Sequence, residues 1–248
     1  MNARTKNPVV LVTGAARRVG AVIARALHGA GYDVALHYRD SRAELEALIA
    51  ELESTRTDST LVLQADLADG GTLPGLVDQA VARFGRLDAL VNNAAVFHPT
   101  PLGTLDAAEC DRLFAINARA PLLLSQAAAP HLRQSRGSIV NIVDIYAQHP
   151  LRNYSAYCMS KAALAMATQA LAQELAPEVR VNGVAPGNIL WPDQSIGAEI
   201  RDRLLERTAL KRQGSPQDIA GAVLWLLRDA PFVTGQILRV DGGRGLAI

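Results

Sequence analysis

Tyr157 and Lys161 stand four residues apart in a stretch, residues 156–175, that reads as a helix. At that spacing both side chains share one face, one turn apart. An ammonium beside a phenol stabilises the phenolate, so Lys161 is expected to lower the Tyr157 pKa from about 10 and make the hydroxyl a usable proton donor near neutral pH. Tyr154 has no lysine four residues on. Asp144 lies thirteen residues before Tyr157. Read alone, it is equally a cap or an arginine partner. Beside a tyrosine it gains a chemical meaning. A carboxyl–tyrosine pair relays a proton to nitrogen, whereas a carboxylate repels the negative charge that builds on a ketone oxygen during reduction.

A second group of residues suits phosphate. Residues 13–20 (Thr-Gly-Ala-Ala-Arg-Arg-Val-Gly) follow an apolar run and open a helical one. Gly14 permits a tight turn, Ala15 and Ala16 let the backbone approach a pyrophosphate at a helix N-terminus, and Gly20 permits close helix–strand packing. The next apolar run ends in His37, Tyr38, Arg39, Asp40 and Ser41. Arg39, with His37 and Ser41 beside it, favours a ribose 2′-phosphate, hence NADP(H) over NAD(H). Asp40 is either an acidic ribose reader or the partner of an arginine. Asp66 and Leu67 follow a third run, with Asp66 suited to accept from an adenine amino group. Asn92, Asn93, Ala94 and Ala95 follow a fourth, where an asparagine pair can bond backbone groups around the same crevice.

These residues need a scaffold that brings strand ends together. Short apolar runs at 9–12, 34–38, 61–64, 89–91, 138–143, 179–184 and 237–240 read as strands. Helical patterns at 19–30, 43–52, 73–84, 105–132, 156–175 and 219–227 fall between them. Strands alternating with helices imply βαβ units and a doubly wound parallel sheet with helices on both faces. Ligands of such sheets bind beyond the carboxyl ends of the strands. The expected organisation is one α/β domain over 8–248, behind a short solvated tail at 1–7. A long irregular stretch at about 185–200 reads as a substrate loop. Trp191 within it is expected either to cover a substrate ring or to fill a gap.

Composition excludes several classes. Lys plus Arg is 25 against 24 Asp plus Glu, so the chain lacks the basic excess that grips nucleic acid. Aromatics at 4% argue against base stacking. No apolar run approaches the ~18–20 residues that span a membrane. Two cysteines make no disulfide framework, and a reducing, cytoplasmic location is expected. The histidines (His28, His37, His98, His131 and His149) show no metal-ligand spacing, so no metal is expected.

Taken in order, residues 13–20, Asp66, 92–94, Asn117, Tyr157/Lys161 and the Pro186-Gly187 pair resemble the short-chain dehydrogenase/reductase family over nearly the whole chain. The resemblance implies a Rossmann-type fold, a nicotinamide cofactor and hydride transfer. It implies Tyr157 as acid, Lys161 as ribose anchor, Asn117 holding a proton-relay water, and cofactor contacts from Gly14, Arg18, Val19, Gly20, Leu67, Asn93, Ala94, Ala95, Pro186, Gly187 and Ile189. Homotetramers are common in the family. Three departures from the usual pattern, Arg18 for a glycine, Asp144 for a catalytic serine, and Phe97 after the asparagine turn, look like the pteridine reductase branch. That branch implies a pterin stacked on Phe97, Arg18 touching both pyrophosphate and pterin, Asp144 protonating with Tyr157, and NADPH as reductant. Ala95 stands where branch members often carry serine. A ketone or 3-oxoacyl reductase that tolerates Asp144, and a non-catalytic NADPH-binding sensor, are the competing readings.

Overall fold

Seven short runs pair side by side, and the central ones are buried on both faces. They are β1 (Val9–Val12), β2 (Asp33–Tyr38), β3 (Thr60–Gln64), β4 (Ala89–Asn92), β5 (Ser138–Ile142), β6 (Arg180–Pro186) and β7 (Ile237–Val240). Every residue of β1, β2, β4 and β5 is buried, the pattern of a parallel sheet covered on both faces. The computed structural model describes residues 7–190 and 197–247.

The strands form one sheet in the order β3-β2-β1-β4-β5-β6-β7, and all neighbours run parallel. Helices α1 (Arg18–Gly29), α2 (Arg42–Thr55), α3 (Leu73–Phe84), α4 (Ala107–Phe114), α5 (Ala120–Ser135), α6 (Ser155–Leu175), α7 (Ala198–Glu206) and α8 (Pro216–Arg228) connect them. One face of the sheet packs on α1, α2 and α8 through Ile23, Leu27, Leu48, Val223 and Leu226. The other packs on α3, α5 and α6 through Leu76, Phe84, Leu124, Leu132 and Leu171. This is the doubly wound α/β fold, and its order reverses between β1 and β4, which opens a crevice beyond their carboxyl ends.

Three elements, 9–12, 73–84 and 237–240, coincide with the ranges read from the sequence. The single helix expected over 105–132 is instead α4, a π-helical turn at Ala115–Arg119, and α5. α7 has no counterpart among the expected helices. Its Glu199, Arg201, Asp202, Arg203 and Glu206 leave too few apolar residues to show a periodic face. The irregular stretch begins later than expected, because β6 continues through Pro186. Of the expected tail, residues 1–6 lie outside the described residues, and Asn7 donates from Nδ2 to Asp33 Oδ1 at 3.1 Å. No described helix is long and apolar enough to cross a membrane.

Buried polar side chains tie the sheet to α6. Asn92 Nδ2 donates to Asn141 Oδ1 at 2.8 Å, Asn141 Nδ2 donates to Thr168 Oγ1 at 2.9 Å, and Thr168 Oγ1 donates to Leu164 O at 2.8 Å. Asn92 therefore turns toward β5 and away from the crevice, because it is the last residue of β4 and not the first of a turn. Asn141→Ala is expected to leave Asn92 short of an acceptor and to destabilise the fold by about 1–3 kcal/mol. Urea unfolding checks this, with a lower midpoint and an unchanged slope as the expected result.

Candidate active site

The loop after β1 is shaped by backbone and side-chain bonds from three neighbouring strands. Gly14 takes the left-handed conformation (φ +63°). Its N–H donates to His37 Nδ1 at 3.1 Å, while His37 Nε2 bonds Ala65 O at 3.2 Å. Nδ1 is thus the acceptor and Nε2 carries the proton. Burial pushes the His37 pKa down to about 4, so the ring is neutral at pH 7. His37 is therefore a strut between the ends of β1, β2 and β3. With both nitrogens engaged the ring presents no charge, and it lines the far end of the groove.

Asn93 clamps the same loop from β4. Its Nδ2 donates to Thr13 O at 2.9 Å and Gly14 O at 3.0 Å. Thr13 Oγ1 in return accepts the backbone N–H of Asn93 and of Ala94, each at 3.0 Å. α1 starts hard against this turn, since a methyl group on Gly20 would lie 2.1 Å from Gly14 O. Only glycine fits there.

The result is a groove of about 560 Å³. Gly14, Arg18, Val19 and Gly20 line one wall, Asn93, Ala94 and Ala95 the other, and His37, Tyr38, Arg39, Ser41, Asp66 and Leu67 the far end. A helix N-terminus behind a tight turn suits phosphate, and the two glycine positions leave room for it. The residues present thus fit a dinucleotide. Arg39 Nε is held by the Asp40 carboxylate, and both side chains are exposed. Asp66 accepts from Ala68 N at 2.9 Å and lies 3.7 Å from the Arg112 guanidinium. Pro186, Gly187 and Ile189 stand at and just beyond the end of β6, outside this lining. There Gly187 N donates to Val240 O at 3.1 Å.

Beyond the end of β5, Tyr157 Oη donates to Asp144 Oδ2 at 2.6 Å. Asp144 Oδ1 accepts from Tyr146 N at 2.9 Å. Asp144 is the cap of a short 3₁₀ turn, Ile145–Ala147, and α6 brings Tyr157 to it. Lys161, one turn along α6, donates from Nζ to Ile142 O at 2.8 Å, and its ammonium lies 6.0 Å from the Tyr157 ring centroid.

Burial sets the protonation of all three. It raises the Asp144 carboxyl above its usual range. It drives the Tyr157 hydroxyl well above 10, with the Asp144 charge adding to the effect. It lowers Lys161 to about 8. The expectation that Lys161 lowers the Tyr157 pKa is thus reversed in the protein alone, because desolvation and the adjacent carboxylate both disfavour a phenolate. Tyr157 holds its proton, and Asp144 holds one more readily than an exposed carboxyl.

Asn117 sits in the π turn between α4 and α5, where Ala120 N reaches back to Ala115 O. Such turns are frequent at functional sites. Its Oδ1 accepts from Val96 N at 2.9 Å, and its Nδ2 donates to Val96 O and to Ser160 Oγ, both at 3.0 Å. The side chain thereby fixes the loop that carries Phe97 onto the helix that carries Tyr157. Phe97 is 47% exposed. Its ring stacks on Tyr154 at 4.6 Å and meets Tyr157 edge-on at 4.8 Å. Sequence reasoning misses Tyr154 because it lacks a lysine partner. Its three-residue spacing from Tyr157, one helical turn, is the signal that could have found it. Trp191 lies outside the described residues.

Residues 14–244 match the family described as enoyl-(acyl carrier protein) reductase. The chain belongs to the short-chain dehydrogenase/reductase family. It is an oxidoreductase of that type. It is 37% identical over 279 aligned residues to pteridine reductase 1 of Leishmania tarentolae, with 96% of each chain covered. It is 36% identical over 246 residues to an uncharacterized oxidoreductase of Methylorubrum extorquens, covering 97% of this chain and 98% of the relative. It is 34% identical over 241 residues to the 3-oxoacyl-(acyl-carrier-protein) reductase FabG of Staphylococcus epidermidis, covering 96% and 98%.

In this short-chain dehydrogenase/reductase the buried lysine has a measurable signature. The folded protein releases the Lys161 proton near pH 8 and the unfolded chain near 10.5. Between those values the folded state binds fewer protons, so this group makes stability rise with pH. Thermal unfolding from pH 7 to 10.5 is expected to show the parent gaining stability relative to Lys161→Met across that window. Parallel curves would place Lys161 at its ordinary pKa.

Proposed function

We propose that this chain is an NADPH-dependent pteridine reductase that reduces the C6=N5 bond of a 7,8-dihydropterin to give a tetrahydropterin. The observation that carries the reading is the 2.6 Å bond between Tyr157 and a buried Asp144. Ketone reduction places negative charge on oxygen beside the donor, where a carboxylate is unfavourable. Imine reduction places the demand on nitrogen, which needs only a proton.

When bound, NADPH supplies a hydride to C6. Tyr157 delivers the proton to N5, and the two additions together saturate the double bond. Asp144, raised by burial, shares or restores that proton. Lys161 anchors the nicotinamide ribose, and Asn117 holds the Phe97 loop against α6. Phe97 offers an aromatic face for the pterin and Arg18 a planar fork for its amide edge and the pyrophosphate. Gly14, Val19, Gly20, Asn93, Ala94 and Ala95 receive the pyrophosphate and nicotinamide end, with Pro186, Gly187 and Ile189 beside it. Tyr38, Arg39, Ser41, Asp66 and Leu67 receive the adenosine end. Oxidised pterins and folates are further substrates, with Asp144 more directly engaged. The similarity to pteridine reductase 1 supports this reading. Exposed Leu122 on α5 and Met159 and Met166 on α6 support assembly as a homotetramer through those helices. The similarity to FabG supports the second reading, a 3-oxoacyl reductase, which the Asp144 carboxyl opposes.

The loss of NADPH absorbance with dihydrobiopterin, dihydrofolate and an acetoacetyl thioester separates the readings. Dihydropterin turnover is expected, reduced at least about a hundredfold by Tyr157→Phe and by Asp144→Ala. Turnover of the thioester alone overturns the proposal, and NADPH binding without turnover of any substrate moves it to the sensor. Arg39→Ala is expected to raise the KM for NADPH about ten- to hundredfold and leave that for NADH nearly unchanged, because it removes a charge-assisted contact with the 2′-phosphate.

A further inference from the structure

We propose that Arg119 and Arg112 are positioning residues for the adenine end of the coenzyme. They hold the loop at 66–68 so that the Asp66 carboxylate accepts the exocyclic amino group of the purine. The proposal rests on the reading of the groove as a dinucleotide site with its adenosine end at Asp66.

The loop after β3 is fixed at both ends by bonds to other elements. At its start, Ala65 O bonds His37 Nε2 at 3.2 Å, and Ala65 N donates to Tyr38 O at 3.3 Å. At its far end, Arg119 Nη2 donates to Ala68 O at 2.6 Å, across 51 residues of chain. Between these anchors the loop closes on itself. Asp69 N donates to Asp66 O at 3.0 Å, and Ala68 N donates to Asp66 Oδ1 at 2.9 Å. One carboxylate oxygen is thus spent on the turn. The other, Oδ2, lies 3.7 Å from Arg112 Nη2, beyond hydrogen-bond distance. That separation balances the charge of the carboxylate without using up its lone pairs.

Both arginines come from one continuous helical run that also walls the groove. Arg112 is on α4, Arg119 closes the π turn, and Ile116 between them lines the groove together with Asp66 and Leu67. An apolar wall with a carboxylate at its edge suits a flat base that carries a donor. Adenine presents an amino group at C6, whereas hypoxanthine presents an oxygen there. A carboxylate held in this place accepts from the first and repels the second. Stability does not account for the two contacts. Arg119 is exposed, and the Arg112 and Asp66 side chains are each 42% exposed, where such bonds add little to folding. Their consequence is local, since they fix the loop from which Asp66 projects.

The test is calorimetric titration of the full chain with NADPH and with its 6-oxo analogue, reduced nicotinamide hypoxanthine dinucleotide phosphate. The parent is expected to prefer NADPH about tenfold, and Asp66→Asn to lose that preference. Arg119→Met and Arg112→Met are each expected to cut it about three- to tenfold, through weaker NADPH binding at nearly constant affinity for the analogue. Arg119→Lys, which keeps a cationic donor, should stay near the parent. In an Asp66→Asn background, Arg119→Met should change the preference no further. A parent without preference, a parent-like preference in both methionine variants, an equal loss for both dinucleotides, or a further change in the Asp66→Asn background each overturn the proposal. Should Arg119→Met not fold, Arg112→Met and Arg119→Lys still decide it. A parent that binds neither dinucleotide overturns the coenzyme reading and this proposal with it. The titration contains no pterin, so failure to reduce any dihydropterin counts against the proposed function alone.

Discussion

Where the strand order reverses, the loops after β1 and β4 leave the sheet side by side, and something must hold them apart by a fixed amount. Thr13 and Asn93 do this reciprocally. The threonine hydroxyl accepts two amides of the β4 loop, and the asparagine amide reaches two carbonyls of the β1 loop. Four bonds between two short segments set the width of the groove, and with it the positions of Arg18 on one wall and of Ala94, Ala95 and Phe97 on the other. The residues that touch a ligand depend on this stitch, although neither Thr13 nor the buried struts behind it do chemistry themselves.

The catalytic end obeys a different constraint, the avoidance of charge in a dry place. Asp144, Tyr157 and Lys161 are all buried, and burial moves each toward its neutral form. The cluster is therefore biased to hold protons on its oxygens and to part with one on its nitrogen. That bias suits delivery of a proton to a substrate better than stabilisation of an anion. It also explains why the 3₁₀ turn after β5 is firmly tied. A proton passed between oxygens 2.6 Å apart tolerates little play in either partner.

Much of this architecture is legible in the order of residues alone. β1, β2 and β4 are recognisable because the short apolar runs at Val9–Val12, Val34–Leu36 and Ala89–Val91 have no amphipathic alternative, and Tyr157 and Lys161 because a helical spacing of four forces a common face. What escapes the sequence depends on neighbours distant along the chain. His37 reads as a neighbour of Arg39 at the cofactor end, yet 23 residues separate it from the Gly14 amide that makes it a strut. The effect of Lys161 on Tyr157 reads as a lowering, yet the carboxylate and the lost water reverse it. Asn117 sits in an unremarkable helical run and gains meaning only from Val96, 21 residues away. Tyr154 and α7 escape for simpler reasons, the first for want of a charged partner and the second for want of an apolar face.

The His37 strut makes the phosphate cradle a proton-linked device. Its Nδ1 holds the Gly14 amide only while it lacks a proton, so a protonated ring and a formed cradle exclude one another. Reciprocity then runs both ways. A ligand that requires the formed cradle would favour the neutral ring, and acid would oppose it. Protons and the shape of the cradle are thus coupled through one imidazole at the far end of the groove.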